Sequence, residues 1–197
     1  HWYQAGTIYT VGKIQGMERS QALQVLDIGS PIEQVLAVCA IDGVPVSVVD
    51  IRPRLYPDIC PFRTIVGPAT KLPVQDAIVD VVTSNCVMCH VGDGRYGDEF
   101  NVDGDVQMLR ECRRVLKPGG KLILGLGPMS PQAHILFNHH RVYSLAWAEK
   151  LFKWAGMRHE DFLVYNADNG SWMTPDLMDP KDRKMGNVYG FVTLLRP

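Results

Sequence analysis

The chain has no uninterrupted apolar run approaching the ~20 residues of a membrane-crossing helix. Its first residues, HWYQAGTIYTVGK, also lack the basic-then-apolar order of a secretory leader, so neither a membrane span nor export is expected. Charge of one sign is missing too: 20 basic against 21 acidic side chains leave a formal net charge of −1. That field is too weak to make nucleic acid or an anionic membrane the main partner, and a small substrate without strong charge is expected. Cysteine is sparse and odd in number, 5 residues outside any dense disulfide framework, which points to free thiols in a reducing, cytoplasmic setting. No internal repeat or low-complexity tract stands out, and 197 residues suffice for one domain with a large core.

What the chain does have is an unusual stretch from Ile78 to Asp105. Ile78-Val79-Asp80-Val81-Val82 reads as a strand buried on both faces of a parallel sheet. It is followed by Cys86, Cys89, His90, Gly92, Gly94 and Gly97 and a series of carboxylates, a composition that suits an exposed, specifically shaped loop. Ligands of open α/β sheets bind beyond the carboxyl ends of the strands, so this loop marks the working face.

Residues 1–22 have a weak helical pattern interrupted by Gly6, Gly12 and Gly16, and read as a lid or docking segment ahead of one domain spanning 23–197. Gln24 to Ile28 reads as the first strand. Ser30 as cap, Pro31 at the first helical position and Glu33 as capping-box acid then open a helix that closes near Gly43. Val46 to Asp50 reads as a second buried strand. Its terminal carboxylate lies about twenty residues past the first turn, where an acid can accept both ribose hydroxyls. Arg63 to Gly67 supplies a third strand, after a proline-rich irregular loop. Beyond the working loop the pattern predicts a helix over 104–116, a turn at Lys117 to Gly120, and a fifth strand over 121–127. A helix over 141–156 follows, then strands at 162–165 and 188–195 separated by a polar surface loop over 166–187.

In this order the elements resemble the class I S-adenosylmethionine-dependent methyltransferases. Val25 to Gly29 is similar to the family's first motif, Asp50 to its ribose-binding acid, and Gly67 to Pro73 to the segment flanking adenine. Asp80 to Ser84 with His90-Val91, and Val115 to Gly120, resemble the fourth and fifth motifs. More narrowly, Gly92 to Asp98, Asp103 to Asp105 and His140 to Tyr143 resemble an uncharacterised methyltransferase-like family often found among polysaccharide-biosynthesis proteins. The resemblance implies a single Rossmann-like α/β domain, with a mostly parallel seven-stranded sheet, an antiparallel last strand and helices on both faces. It implies S-adenosyl-L-methionine as cofactor, held by Asp27, Gly29, Ser30, Asp50, Ile51, Ala69, Thr70 and Asn85. It further implies O-methylation of a sugar hydroxyl on a glycan or its precursor, for instance a deoxyhexose such as rhamnose, and fusion to or association with glycan-synthesis enzymes.

Methyl transfer to a hydroxyl is an in-line displacement that needs close contact and a base for the hydroxyl proton. His90, just past the fourth strand, fits that base, with Asp98 to orient it or to act itself; a structural histidine bonded to the loop backbone is the competing reading. Arg95, Tyr96, His139, His140 and Tyr143 fall where the acceptor is expected. Pro31 and Glu33 stand where the family's first motif has later glycines, and Pro68 where the adenine acid is usual. Glu33 in particular falls where the cofactor's own carboxylate is expected. A catalytically inactive binding module is therefore a second reading. A divalent metal on Asp93, Asp98, Asp103 and Asp105, as in a metal-dependent enzyme, is a third.

Several literal motif matches carry less. Cys86-Val87-Met88-Cys89-His90 has the spacing of a covalent haem site, but it begins at the end of a buried strand in a chain without an export signal; small apolar packing fits better. Gly92-x-Gly94-x-x-Gly97 follows the fourth strand, where a dinucleotide fingerprint must follow the first. A calcium loop starting at Glu99 fails at its twelfth position, Arg110. Trp172 in the polar loop is a candidate to stack on a sugar face.

Overall fold

A computed structural model describes residues 2–18, 23–53, 62–177 and 187–197. Most of the proline-rich loop and part of the polar loop named above lie outside these residues, as do 1 and 19–22 of the amino-terminal segment. An eight-stranded sheet organises the chain, in the order β3-β2-β1-β4-β5-β10-β8-β9. Its strands are β1 (Val25–Ile28), β2 (Val46–Asp50), β3 (Phe62–Val66), β4 (Val79–Asn85), β5 (Leu116–Pro128), β8 (Arg158–Asn166), β9 (Ser171–Met173) and β10 (Val188–Leu195). Pairing is parallel from β3 through β5, whereas β10 runs antiparallel between β5 and β8. The expected α/β architecture with a reversed last strand is what forms. The extra strand, β9, is a hairpin return on β8 inside the segment read as a polar surface loop.

The helices are α1 (Trp2–Gln15), α2 (Ile32–Cys39), α3 (Gly104–Val115) and α4 (Leu145–Trp154). Side chains alternate across a pleated strand, so each central strand feeds two cores. Val25, Val48, Val81 and Ile123 pack under α1 and α2, while Leu26, Val49, Val82, Leu122 and Leu124 pack under α3 and α4. Two layers of helix therefore bury the sheet on both sides, which is why its central strands read as apolar runs.

Three local expectations are corrected. The strand read as ending at Val82 continues to Asn85, because Thr83 and Ser84 place their hydroxyls on Asp27 Oδ2 (2.7 Å) and the Ile28 carbonyl (2.9 Å) and so satisfy themselves while buried. Ser30 does not cap α2; Pro31 precedes the helix without a side-chain cap bond, and Ser30 is committed elsewhere. Helix α4 starts at Leu145, not Arg141, with Ser144 accepting the Trp147 N–H at 3.2 Å. Arg141 and Val142 belong to β7 (His140–Val142), which pairs with β6 (His134–Leu136). The Lys117 to Gly120 turn is present as a four-residue excursion within β5: the partner of Val79 is Leu116 and the partner of Val81 is Lys121.

Helix α1 is tied down along its length. The Tyr9 hydroxyl donates to Asp161 Oδ1 at 2.5 Å and meets Thr193 Oγ1 at 2.9 Å, Lys13 pairs with Asp161, and Ile14 is fully buried. Its amino-terminal half approaches the carboxyl end of β4, where Gly6 lies so close to the Asn85 amide that an added Cβ would sit 2.3 Å from Nδ2.

Candidate active site

The carboxyl ends of β1, β2 and β4 open into one cleft of about 610 Å³, within the ~300–1,000 Å³ usual for small-molecule sites. Ile28, Val49, Gly29 and Asp50 form its base, Ile51, Arg52 and Gly67 to Lys71 one wall, and Cys86, Val87, His90 to Gly92 and Tyr96 to Glu99 the other. Gly29 has φ +63°, a left-handed conformation that lets the chain turn sharply off β1. Asp50 is 5% exposed; its Oδ1 accepts the Arg52 N–H at 2.9 Å and Arg52 Nε at 3.3 Å. Among the expected cofactor contacts, Gly29, Asp50, Ile51, Ala69 and Thr70 line the cleft.

Asp27, Ser30 and Asn85 sit behind it as a buried bracket. Asp27 Oδ1 accepts the Ser30 N–H (3.0 Å), and Ser30 Oγ accepts the Asn85 N–H (3.0 Å) and Gln34 Nε2 (3.1 Å). Their side chains hold the β1 turn against β4. Pro31 and Glu33 do not enter the cleft, and Glu33 faces solvent.

The working loop begins with a strained residue. Cys86 has φ +55°, which is costly without glycine and brings it onto the cleft wall; its N–H bonds the Gly125 carbonyl at 2.9 Å. A 3-10 turn (Met88–His90) then delivers His90. Its Nδ1 lies 2.6 Å from the His139 carbonyl and 3.7 Å from Asp93 Oδ2. A carbonyl only accepts, so Nδ1 carries the proton and Nε2 keeps the basic lone pair. Burial lowers the His90 pKa below the usual histidine value, against the opposing pull of the His139 carbonyl and Asp93. Asp93, 4% exposed, is thus the carboxylate beside this imidazole. Asp98, expected in that role, accepts the Gly92 N–H instead and braces the loop, though it still lines the cleft.

Tyr96 meets His90 edge-on (centroids 5.4 Å apart), with the guanidiniums of Arg52 and Arg95 at 4.8 and 5.6 Å from its ring. Arg95 Nη1 also donates to the His139 carbonyl at 3.1 Å. His140 stands 6.1 Å from His90 ring to ring, its pKa pushed down to about 4 by burial, His139, His90 and Arg95. Tyr143 departs from the expected acceptor role: it is fully buried, with its hydroxyl 3.4 Å from the Met88 carbonyl.

The methyltransferase domain family matches residues 26–124, half of the chain. The protein belongs to that family. It is a class I, S-adenosylmethionine-dependent methyltransferase, as its ordered motifs imply. No curated protein matches the sequence. Among solved structures, it resembles the methyltransferase bound to the Trm112 activator of Haloferax volcanii (20% identity, TM-score 0.65, 100% of this chain and 90% of that one). It also resembles 1,6-didemethyltoxoflavin-N1-methyltransferase of Burkholderia thailandensis, solved with bound 1,6-didemethyltoxoflavin and S-adenosylhomocysteine (16%, 0.68, 98% and 77%). The [4+2]-cyclase SpnF is a further neighbour (14%, 0.67, 98% and 82%). At these identities the likeness speaks for the fold alone, and chemistry must come from the site.

The methyltransferase's cleft suits its cofactor. Asp50 presents a buried carboxylate at the tip of β2, where ribose hydroxyls would find an acceptor, and the Gly29 turn lies in the cleft beside Cys86 and Val87. Ala69 and Thr70 line the wall where the base would lie. No three His, Cys, Asp or Glu side chains among the described residues gather as a metal site. Asp105 in particular is 3% exposed and faces Arg141 Nε at 3.8 Å.

Arg52, Cys86 and Gln107 also line the cleft, although nothing in their local sequence marks them for it, and Arg141 does more than anchor a helix. Arg141, 5% exposed, donates to the Val91 and Asn101 carbonyls and so clamps both ends of the loop that carries Tyr96. Cys89, by contrast, is a packed thiol as read, 1% exposed with its pKa pushed up to about 12 by burial.

Proposed function

We propose that this methyltransferase methylates a hydroxyl of a small, uncharged acceptor, a sugar or sugar-containing precursor, with His90 as general base. The observation that carries this reading is the His90 imidazole: it lines the donor cleft, with Nδ1 engaged by a carbonyl and Nε2 left basic. Hydroxyls need that proton removed, whereas a neutral amine acceptor attacks with a free lone pair. When bound, S-adenosylmethionine supplies a methyl group on a sulfonium, which departs as a neutral thioether with the C–S bonding pair. The chain's own part is to hold the acceptor oxygen in line, take its proton on Nε2 as the C–O bond forms, and accommodate the imidazolium. Asp93 Oδ2 at 3.7 Å and the His139 carbonyl favour that charged ring.

Support for a sugar comes from the rim and from the narrower resemblance. Tyr96 is 38% exposed beside His90, and with Arg95 and His140 near it offers polar groups for a sugar's hydroxyls. A near-zero net charge suits a neutral acceptor. The inactive-module reading loses its main ground, since Pro31 and Glu33 leave the cleft open. The test is transfer of labelled methyl from S-adenosylmethionine to a panel of deoxyhexoses, neutral glycosides and small amines. Label in the sugars that is lost in His90→Gln supports the proposal; label in amines alone, or equal turnover in the variant, refutes it.

A further inference from the structure

Arg52 follows β2 and Tyr96 follows β4, and in the sheet these two strands are separated by β1. Neighbouring strands lie about 4.8 Å apart, so contact between side chains from either flank has to pass over the end of β1, where the cleft opens. That contact exists: the Arg52 guanidinium lies 4.8 Å from the Tyr96 ring centroid. Both residues line the cleft. Each side of the span is held. Arg52 is anchored to Asp50 Oδ1 through both its backbone N–H and Nε. The Tyr96 loop is braced by Asp98 on the Gly92 N–H, by Asp93 Oδ1 on the Arg95 N–H at 3.0 Å, and by Arg141 on the Val91 and Asn101 carbonyls. The Arg52 side chain is 52% exposed, so its interaction with the ring is of the strength that thermal motion breaks and remakes readily.

The geometry points to Arg52 and Tyr96 as a clasp across the mouth of the cofactor cleft, which opens for S-adenosylmethionine to enter and for S-adenosylhomocysteine to leave. Its role rests on the cofactor lying in this cleft and not on the identity of the acceptor. Arg52 is a positioning residue: it acts by bridging Asp50 to the opposite wall, and the ring of Tyr96 is its seat. A clasp of this kind is a barrier common to both directions of exchange. Removing it accelerates entry and exit together and moves the equilibrium constant much less than either rate. A direct contact to the ligand behaves differently, since its loss accelerates exit alone.

The test is stopped-flow binding of S-adenosylhomocysteine to the full chain and to Arg52→Ala, Tyr96→Leu, Tyr96→Phe and the Arg52→Ala/Tyr96→Leu double variant. Both singles are expected to raise the association and dissociation rates about fivefold each, the effect of one exposed cation–ring contact. The double variant should go no further than either single, because both remove the same contact. Tyr96→Phe keeps the ring face and should retain wild-type rates. Exit accelerated without entry, additive effects in the double variant, or unchanged rates in Arg52→Ala would each overturn the clasp. Asp50→Asn serves as the control for the cleft itself: if it leaves the affinity unchanged, the cofactor binds elsewhere and the failure lies there.

Discussion

Replacing Arg141 by methionine isolates how the working loop is held. The side chain is 6% exposed, its partner Asp105 4%, and three interactions are lost at once: the bonds to the Val91 and Asn101 carbonyls and the ion pair to Asp105. Breaking a buried pair from one side costs about 3–5 kcal/mol. The 3.8 Å separation is long, and Asp105 keeps its bond from the Val106 N–H at 2.8 Å, so the lower end applies, about 3 kcal/mol. For a chain of this size that lowers Tm by roughly 6–12 °C. The pH dependence follows from Asp105, whose pKa burial raises while Arg141 opposes the rise. Without Arg141 the folded-state pKa climbs further above the unfolded value. A carboxyl raised in this way stabilises fully below its unfolded pKa and loses that contribution as pH rises through the folded one. The deficit of Arg141→Met in urea unfolding should therefore be smallest near pH 4 and grow toward neutrality, and a second change, Asp105→Asn, should recover part of it at pH 7. A loss below about 1 kcal/mol, comparable to one ordinary hydrogen bond, or a deficit independent of pH, would contradict the buried-clamp account.

Other outcomes follow from the cleft. His90→Gln should lower turnover by about 10²–10⁴, the usual worth of a general base, with little change in S-adenosylhomocysteine affinity by calorimetry. Because burial lowers the His90 pKa, the acid limb of the wild-type rate profile should fall below the ordinary histidine value of 6.5: protonation at lower pH disables the base, and the limb should vanish in the glutamine variant. Asp50→Asn should weaken S-adenosylhomocysteine binding about 10- to 100-fold, the loss of charge-assisted bonds to ribose.

The order of strands and helices was legible because every central strand is buried on both faces and so writes an apolar run, as in Val46 to Asp50 and Leu122 to Leu126. Asp50 was legible for the same reason, a lone acid ending such a run. Helix α1 was only weakly so, because its glycines and polar residues are what let it settle on Asn85, Asp161 and Thr193. Ser30 was misread locally: its neighbours have the pattern of a cap, yet a tertiary partner, the Asn85 N–H, takes the hydroxyl. The partner of His90 could not be read either. Asp93 and Asp98 are equivalent in composition, and only the glycine-shaped path of the loop turns one toward the imidazole and the other onto Gly92.

The central claim is that the nucleoside crosses the tips of β1 and β2 and aims its sulfur at the segment after β4. A crystal structure with S-adenosylhomocysteine tests it most directly. The account predicts both ribose hydroxyls on Asp50 and the sulfur beside Cys86 and His90, with His90 Nε2 open toward the space where an acceptor sits. Density for the ligand outside this cleft, or a sulfur turned away from His90, would contradict it.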